Sequence, residues 1–195
     1  MKSENALTDE QLIARFQKGD HQAYNEIVER YKNRLTNFIY RMSGNIDDTD
    51  DIVQDTLVKV YTSKHLYIEI ASFSTWIHTI ALNFARTKFH KQNKYKTVSL
   101  SYELNDEEKQ FDITDESATP DIEVNSQLTE EHIQKTLMKI PEVYRELVIL
   151  RDVQDYSYEE ICEMIKLPMG TVKSRINRGR EKLKVLLEEF YKEEK

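Results

Sequence analysis

The sequence predicts an all-α protein of two small helical domains. Apolar residues recur at spacings of three and four along most of the 195 residues, which is the period of a helix. Only four Gly and three Pro interrupt this pattern. Residues 98–131 carry 11 acidic residues and one basic residue, whereas the sequences on either side are nearly neutral. We therefore expect domains at residues 1–97 and 129–195, joined by an acidic linker at residues 98–128.

Composition excludes several classes of protein. Cys162 is the only cysteine, so no internal disulfide is possible, and its place in an apolar stripe predicts a buried thiol. The sequence has no signal-peptide pattern and no apolar run near the roughly 18 residues of a spanning helix. We expect a cytoplasmic protein without membrane insertion. The five His residues lack metal-ligand spacing, which disfavours a carboxylate-based hydrolase, so we predict no catalytic residue, metal site or cofactor.

The first two helices have clear start and stop signals. Thr8 and Gln11 form a capping-box pattern, and the helix after them closes at Gly19. Asp20 then caps a longer helix that stops at Gly44. Its apolar stripe predicts core and consists of Tyr24, Ile27, Val28, Tyr31, Leu35, Phe38, Ile39 and Met42.

Acidic residues crowd the start of the third helix, at Asp47, Asp48, Asp50, Asp51 and Asp55. Acids near a helix N-terminus stabilise it through the helix dipole, which explains the first four best. A Mg²⁺ site is the less favoured alternative, because no phosphate-binding glycine loop accompanies the acids. A docking face for a partner is the third interpretation.

A fourth helix comes next, with Ser72 or Ser74 as its cap. Its predicted core face is Phe73, Trp76, Ile77, Ile80, Ala81 and Phe84. Polar and basic residues lie on the other side, among them Asn83, Arg86, Lys88 and Lys91. Aromatic side chains beside cations are suited to stacking unpaired bases, although the position of Trp76 on the apolar face favours a core role.

The C-terminal part predicts a helix-turn-helix with two supporting helices. Thr129 and Pro141 begin the supporting helices. The predicted apolar stripe of the second is Val143, Leu147, Val148, Leu150 and Val153. Ser157 and Glu160 form a capping box for a short helix that ends at Leu167–Pro168.

The last helix has an apolar and a basic face. The predicted buried face is Val172, Ile176, Gly179, Leu183, Leu186, Leu187 and Phe190, with Gly179 as a close-packing point. The opposite face carries Lys173, Ser174, Asn177 and Arg178, flanked by Arg175, Arg180, Lys182 and Lys184. Seven basic residues and one acidic residue lie between positions 166 and 184. A basic helix after a Pro-broken turn suits a DNA major groove, although such a face is often merely solvated.

Four segments resemble the bacterial sigma-70 superfamily, and in particular its extracytoplasmic-function group. One of them, IPEVYRELVILRDV at residues 140–153, resembles the family's C-terminal domain. PMGTVKSRINRGREKL at residues 168–183 resembles the family's recognition helix, with Met169 and Gly179 as mild departures. DDIVQDTLVKVY at residues 50–61 resembles its polymerase-binding helix, and FSTWI with the IALN after it resembles its promoter-melting segment. The resemblance covers about residues 8–97 and 129–190.

The resemblance implies a sigma factor, which is not an enzyme, with core RNA polymerase and promoter DNA as partners. It also implies an anti-sigma factor as a further partner. By this match, the minus-thirty-five contacts are Lys173, Ser174, Arg175, Asn177, Arg178 and Lys182. The minus-ten and melting contacts are Phe73, Trp76, Asn83, Arg86, Lys88 and Lys91. The polymerase contacts are Asp51, Gln54 and Asp55.

Two points stay open. Family members usually carry a Gly and a basic residue in the loop before the melting helix, whereas this chain reads YIEIA at residues 67–71. The departure leaves the captured base unassigned. The alternative function is a homodimeric helix-turn-helix regulator, which shares the C-terminal pattern but gives no reason for the acidic helix or the melting segment.

Overall fold

A computed structural model describes residues 7–97 and 130–193, and these residues form helices without any strand. The N-terminal half contains α1 (Asp9–Gln17), α2 (His21–Ser43), α3 (Ile46–Ser63) and α4 (Phe73–Thr97), with a short 3₁₀ turn at Lys64–Leu66. The C-terminal half contains α5 (Glu130–Lys139), α6 (Glu142–Val148), α7 (Tyr158–Ile165) and α8 (Met169–Glu193). The expected all-α fold of two helical domains is confirmed. The predicted linker and the Thr129 cap lie outside the described residues.

The predicted caps of the N-terminal helices are present. Thr8 and Gln11 form a capping box, and Asp20 accepts hydrogen bonds from the backbone N–H groups of Gln22 and Ala23. Gly44 ends α2 in the left-handed conformation, at φ 65°, where glycine carries no side-chain penalty. These local signals fix the helix ends, so the apolar stripes between them meet in one core.

The N-terminal core is built around the apolar stripe of α2. Tyr31, Leu35 and Phe38 are completely buried in it, together with Phe73 and Ile77 of α4. Asp9 ties α1 to α2, because its carboxylate accepts hydrogen bonds from Arg30 at 2.8 Å and from the Tyr31 hydroxyl at 2.5 Å. Ser72 is the side-chain cap of α4, since its Oγ accepts from the Thr75 N–H at 3.1 Å.

A π-helical turn at Ile149–Val153 comes directly after α6 and was not predicted. The sequence pattern suggested one continuous α-helix that includes Val143 and Val153 in its apolar stripe. A π turn inserts one extra residue per turn and shifts the helical register of the residues after it. Ile149 and Leu150 are accordingly buried, whereas Val153 is 47% exposed.

The two halves pack directly on each other. α4 contacts α7, and α2 contacts α5, α6 and the π turn. At one end, Gln134 donates to the Tyr40 carbonyl at 2.8 Å and Arg41 pairs with Glu130 at 2.8 Å. Periodicity did not predict a second buried face of α4, which includes Thr75, His78, Leu82 and Ala85. The C-terminal half contacts this face at Thr75, through Glu160, and at His78, through Tyr156.

Candidate nucleic-acid and polymerase interfaces

The helix-turn-helix is set by three local signals. The Ser157 hydroxyl accepts from the Glu160 N–H at 3.2 Å, and the Glu160 carboxylate accepts from the Ser157 N–H at 2.9 Å, which completes the predicted capping box. α7 ends at Ile165, and the capping residue Lys166 takes the left-handed conformation at φ 61°. Pro168 then precedes α8 and its carbonyl accepts from the Val172 N–H. Burial of Ile161, Val172 and Ile176 holds the two helices together.

Gly179 is the point where α8 comes closest to α6. A Cβ atom placed there would lie 2.5 Å from Cγ2 of Val148 and 3.3 Å from Cβ of Tyr144. No real side chain tolerates the first distance without movement, so the close helix approach depends on glycine. The predicted close-packing role is confirmed. It fixes which side of α8 is buried and therefore which side faces outward.

The outward side of α8 carries the predicted minus-thirty-five residues. Lys173, Asn177, Arg178 and Lys182 are exposed, and Ser174 and Arg175 are partly exposed. Two of the lysines are positioned over aromatic rings. The Lys173 ammonium lies 5.6 Å from the ring centroid of Tyr158, and that of Lys182 lies 5.9 Å from Tyr144. Arg180 is different, because it is engaged within the domain by both carboxylate oxygens of Asp152.

The predicted minus-ten residues on α4 fall into two groups. Asn83 and Lys91 are exposed, and Trp76 is partly exposed beside Tyr67, with ring centroids 5.4 Å apart. Phe73, in contrast, is completely buried, at 5.3 Å from the ring of Tyr31. In this arrangement Phe73 is a core residue that no base reaches, because it belongs to the packing face at the start of α4.

Arg86 and Lys88 of α4 are held by acidic residues. The Arg86 guanidinium donates to both carboxylate oxygens of Glu146 in α6, at 2.8 and 2.9 Å. The Lys88 ammonium pairs with Asp48 at 2.8 Å and with Asp51 at 2.9 Å. Partial burial alone would lower the pKa of Lys88, but the hydrogen bonds to both carboxylates outweigh it and raise that pKa. Sequence reasoning identified these cations but not their partners, which come from other helices.

The predicted polymerase contacts share one exposed face of α3. Asp51, Gln54 and Asp55 stand at i, i+3 and i+4, and all three are exposed. The side chain of Asp51 keeps 71% exposure despite its ion pair with Lys88. Behind this face, Ile52, Val53 and Val60 are buried against the core. The acidic face is therefore rigidly supported and open to a partner.

The loop before α4 presents an apolar tip. Tyr67 anchors the loop, since its hydroxyl donates to the Ala71 carbonyl at 3.0 Å and its side chain is buried. Burial, together with the charges of Glu10 and Glu69, raises the pKa of Tyr67 to about 12. Ile68 and Ile70 point outward and are 69% and 88% exposed. This is the segment where the sequence departs from the family pattern.

His78 is a buried polar residue that sequence reasoning missed. Its Nδ1–H donates to the Ser74 carbonyl at 2.9 Å, while Nε2 finds no hydrogen-bond partner among the described residues. Aromatic rings surround it, including Phe38 at 5.1 Å and Tyr156 of the C-terminal half at 5.6 Å. Burial lowers the pKa of His78 to about 4. The imidazole is therefore neutral at pH 7.

The described residues form neither a metal-binding cluster nor a membrane-spanning helix. Within residues 7–97 and 130–193, no group of three or more His, Cys, Asp or Glu residues is placed to hold a metal ion. In the same residues, no helix is both long enough and apolar enough to cross a membrane. Cys162 is partly exposed rather than buried as predicted, because it lies at the edge of the α7 packing face.

These features define an all-helical protein with a helix-turn-helix that exposes a basic face in its C-terminal half and a helix that exposes an acidic face in its N-terminal half. Sequence families agree with this description. The family described as Sigma-70 region 2 matches residues 27–95, and the family described as Sigma-70, region 4 matches residues 130–183. The first match contains α3 and nearly all of α4, and the second contains the helix-turn-helix.

Whole-length relatives identify the group. The chain is 32% identical over 181 residues to the ECF RNA polymerase sigma factor SigW of Bacillus subtilis, covering 91% of this chain and 96% of the relative. It is 32% identical over 178 residues to the ECF RNA polymerase sigma-E factor of Haemophilus influenzae, covering 90% of this chain and 93% of the relative. The chain therefore belongs to the extracytoplasmic-function (ECF) group of the sigma-70 family of RNA polymerase sigma factors.

Two solved structures share the fold. One is the sigma factor RpoE in complex with the anti-sigma factor NepR from Bartonella quintana, with a TM-score of 0.66 and 23% identity over 85% of this chain and 96% of that one. The other is CnrH in complex with the cytosolic domain of CnrY, with a TM-score of 0.65 and 22% identity over 92% of this chain and 97% of that one. At these identities the likeness supports the fold alone.

Proposed function

We propose that this ECF sigma factor binds core RNA polymerase, directs it to a class of promoters and promotes opening of the duplex, acting by binding and not as an enzyme. The observation that carries the proposal is the exposed basic face of α8 in a chain that also presents the exposed acidic face of α3. A DNA-binding regulator needs only the first face, whereas a sigma factor needs both. Because core polymerase acts in the cytoplasm, the proposal places the chain there.

The proposal divides the chain into the two expected functional domains. Residues 1–97 bind polymerase and the minus-ten element, and residues 129–195 bind the minus-thirty-five element. Residues 98–128 connect the two domains. On α8, Lys173, Ser174, Asn177 and Arg178 read bases, because the N-terminal part of a recognition helix enters the major groove. Lys182 lies further along the helix and holds phosphate, and Arg175 flanks the readers.

In the N-terminal domain, we assign the exposed Asn83 and Lys91 of α4, with Arg86 and Lys88, to the minus-ten strand. Trp76 and Tyr67 form an aromatic surface beside the adjacent loop, which suits stacking of an unpaired base. Phe73 packs behind Trp76 in the core, with ring centroids 5.8 Å apart. Asp51, Gln54 and Asp55 dock on polymerase.

An anti-sigma factor is a further proposed partner. The two solved structures that share this fold are both complexes, with NepR and with CnrY. The homodimeric regulator is not favoured, because the relatives that match the whole chain are ECF RNA polymerase sigma factors.

The test separates base reading from phosphate holding on α8. Arg178→Ala should weaken binding to the preferred duplex by about 1 to 3 kcal/mol and relax preference at one or two positions. Lys182→Ala should instead weaken binding to all duplexes. It should also lower the slope of the logarithm of the binding constant against the logarithm of the salt concentration by about one unit. Both variants remove one exposed cation from the same helix, so each is the control for the other.

The duplex is first selected from a random library by the full chain with core enzyme. Fluorescence anisotropy then measures affinity for matched and mismatched duplexes at several salt concentrations. If Arg178→Ala weakens every duplex equally and leaves the preference intact, this face of α8 does not read bases as assigned.

A further inference from the structure

The two halves of the chain are joined by polar contacts that involve promoter-facing residues. Arg86, assigned above to the minus-ten strand, donates both of its hydrogen bonds to Glu146. Glu146 is only 5% exposed, so the pair is shielded from water on the carboxylate side. A bidentate arginine–carboxylate pair has the geometry that arginine also uses for phosphate. Glu146 therefore occupies Arg86 in the way a DNA phosphate would.

A second set of contacts holds the start of α4 against α7. The Ser74 and Tyr156 hydroxyls lie 2.8 Å apart, and the Thr75 hydroxyl donates to Glu160 at 3.1 Å. Thr75 is nearly fully buried by this contact. The melting helix and the helix-turn-helix are thus packed side by side, although their targets are separate elements of a promoter.

The space left between the halves is small. An open cleft of about 300 Å³ is lined by Arg86 and His90 from α4 and by Glu142, Glu146 and Arg175 from the C-terminal half. A cleft of this volume is at the lower limit for a small ligand. It does not admit a duplex, whose major groove alone is about 12 Å wide. Arg175 of the recognition helix and Arg86 of the melting helix therefore line the same cleft, which is too narrow for a duplex.

We propose that the chain is autoinhibited by this interface, with Glu146 as the residue that withholds Arg86 from promoter DNA until the two halves separate. The inference rests on the proposed function, because it takes Arg86 to be a DNA contact. The connection is long enough for separation, since the 32 residues between positions 97 and 130 span at most about 110 Å when extended. DNA binds the open state, so its apparent affinity is reduced by the fraction of molecules that are open.

The first measurement reports the distance between the halves in the full chain. Spin labels on Asn33→Cys in α2 and Glu163→Cys in α7, both exposed positions, are introduced with Cys162→Ser. Electron–electron resonance should give one short, narrow distance distribution for the otherwise unchanged chain. Glu146→Gln should broaden it toward longer distances. Thr75→Val removes the bond to Glu160 without changing a charge and should act in the same direction, which guards against a folding defect in one variant.

The second measurement reports DNA affinity, with a fluorescein-labelled pool of single-stranded 12-mers of random sequence as the probe. Glu146→Gln should bind about tenfold more tightly than the unchanged chain. Glu142→Gln is the matched control, because it removes the same charge from the same cleft without touching Arg86. It should change the affinity less than threefold.

Two outcomes overturn the inference. One is a broad, long distance distribution in the unchanged chain that Glu146→Gln leaves as it is. The other is a distribution that opens in Glu146→Gln without tighter DNA binding than in Glu142→Gln. Failure of the proposed function is recognised separately: Arg86→Ala in the Glu146→Gln background would then leave the affinity unchanged, whatever the distances show.

Discussion

The buried His78 makes the stability of this protein depend on pH in a calculable way. Its pKa is about 4 in the folded chain, because burial disfavours the charged imidazolium. Arg34 on the neighbouring α2 disfavours it further by charge. The other titratable groups around it, Tyr31 and Tyr156, are neutral hydroxyls with raised pKa values. No nearby acid compensates a proton on His78 among the described residues.

The direction of this pH dependence follows from the pKa values of His78 in the unfolded and the folded chain. An unfolded chain binds a proton at His78 near pH 6.5, whereas the folded chain resists it until about pH 4. The contribution of neutral His78 to the free energy of unfolding is therefore fully present above pH 7. It falls as the pH drops through 6.5, and the loss is complete below pH 4. The linkage relation gives a loss of about 2 kcal/mol between pH 7 and pH 5, and about 3 kcal/mol in full.

Urea unfolding of the full chain at pH 7.0, 6.0 and 5.0 measures this loss. Many carboxylates also titrate in the lower part of this range, so the informative quantity is the difference from His78→Asn. That variant retains a side-chain donor near the Ser74 carbonyl but cannot be protonated. Its overall stability will be lower, but its stability should decline less steeply with acidity. If both proteins lose the same free energy between pH 7 and pH 5, His78 does not resist protonation as the structure requires.

Three further predictions concern the interfaces and the packing of α8. Gly179→Ala should destabilise the protein by about 1 to 2 kcal/mol in urea unfolding, because the overlap with Val148 outweighs the roughly 1 kcal/mol gain in helix propensity; an increase in stability would show that the helices are not so close. Gln54→Ala should weaken binding to core polymerase in a pull-down while leaving affinity for the selected duplex unchanged, and equal binding to polymerase would remove this residue from the docking face. Paired Lys88→Gln and Lys91→Gln should reduce open-complex formation, seen by permanganate footprinting, more on duplex promoters than on pre-melted ones; equal loss on both templates would assign α4 to docking or folding instead.

The features that sequence reasoning predicted correctly are those determined by local signals. The Thr8, Asp20 and Ser157 caps act over three residues, and the left-handed Gly44 is required by a single backbone position. The apolar stripes arise from helix periodicity, which is why the helix-turn-helix and the close approach at Gly179 were recognised.

The features that were missed depend on contacts between distant parts of the chain. His78 and Thr75 of α4 lie outside the apolar stripe that periodicity predicts, and both are buried where α4 contacts Tyr156 and Glu160 of the C-terminal half. Arg86 and Lys88 were recognised as cations, but their partners Glu146 and Asp51 lie 60 and 37 residues away. The π turn after α6 shifts a register that periodicity treats as continuous.

The Glu160 carboxylate serves two parts of the molecule with different oxygens. Oε2 accepts from the Ser157 N–H at the cap of α7, whereas Oε1 accepts from Thr75 of the other domain. Breaking the second bond therefore leaves the first one in place. The cap of α7 therefore does not depend on contact with Thr75. If the halves separate as proposed, the helix that precedes α8 needs no refolding, and the cost lies in the contacts between the halves.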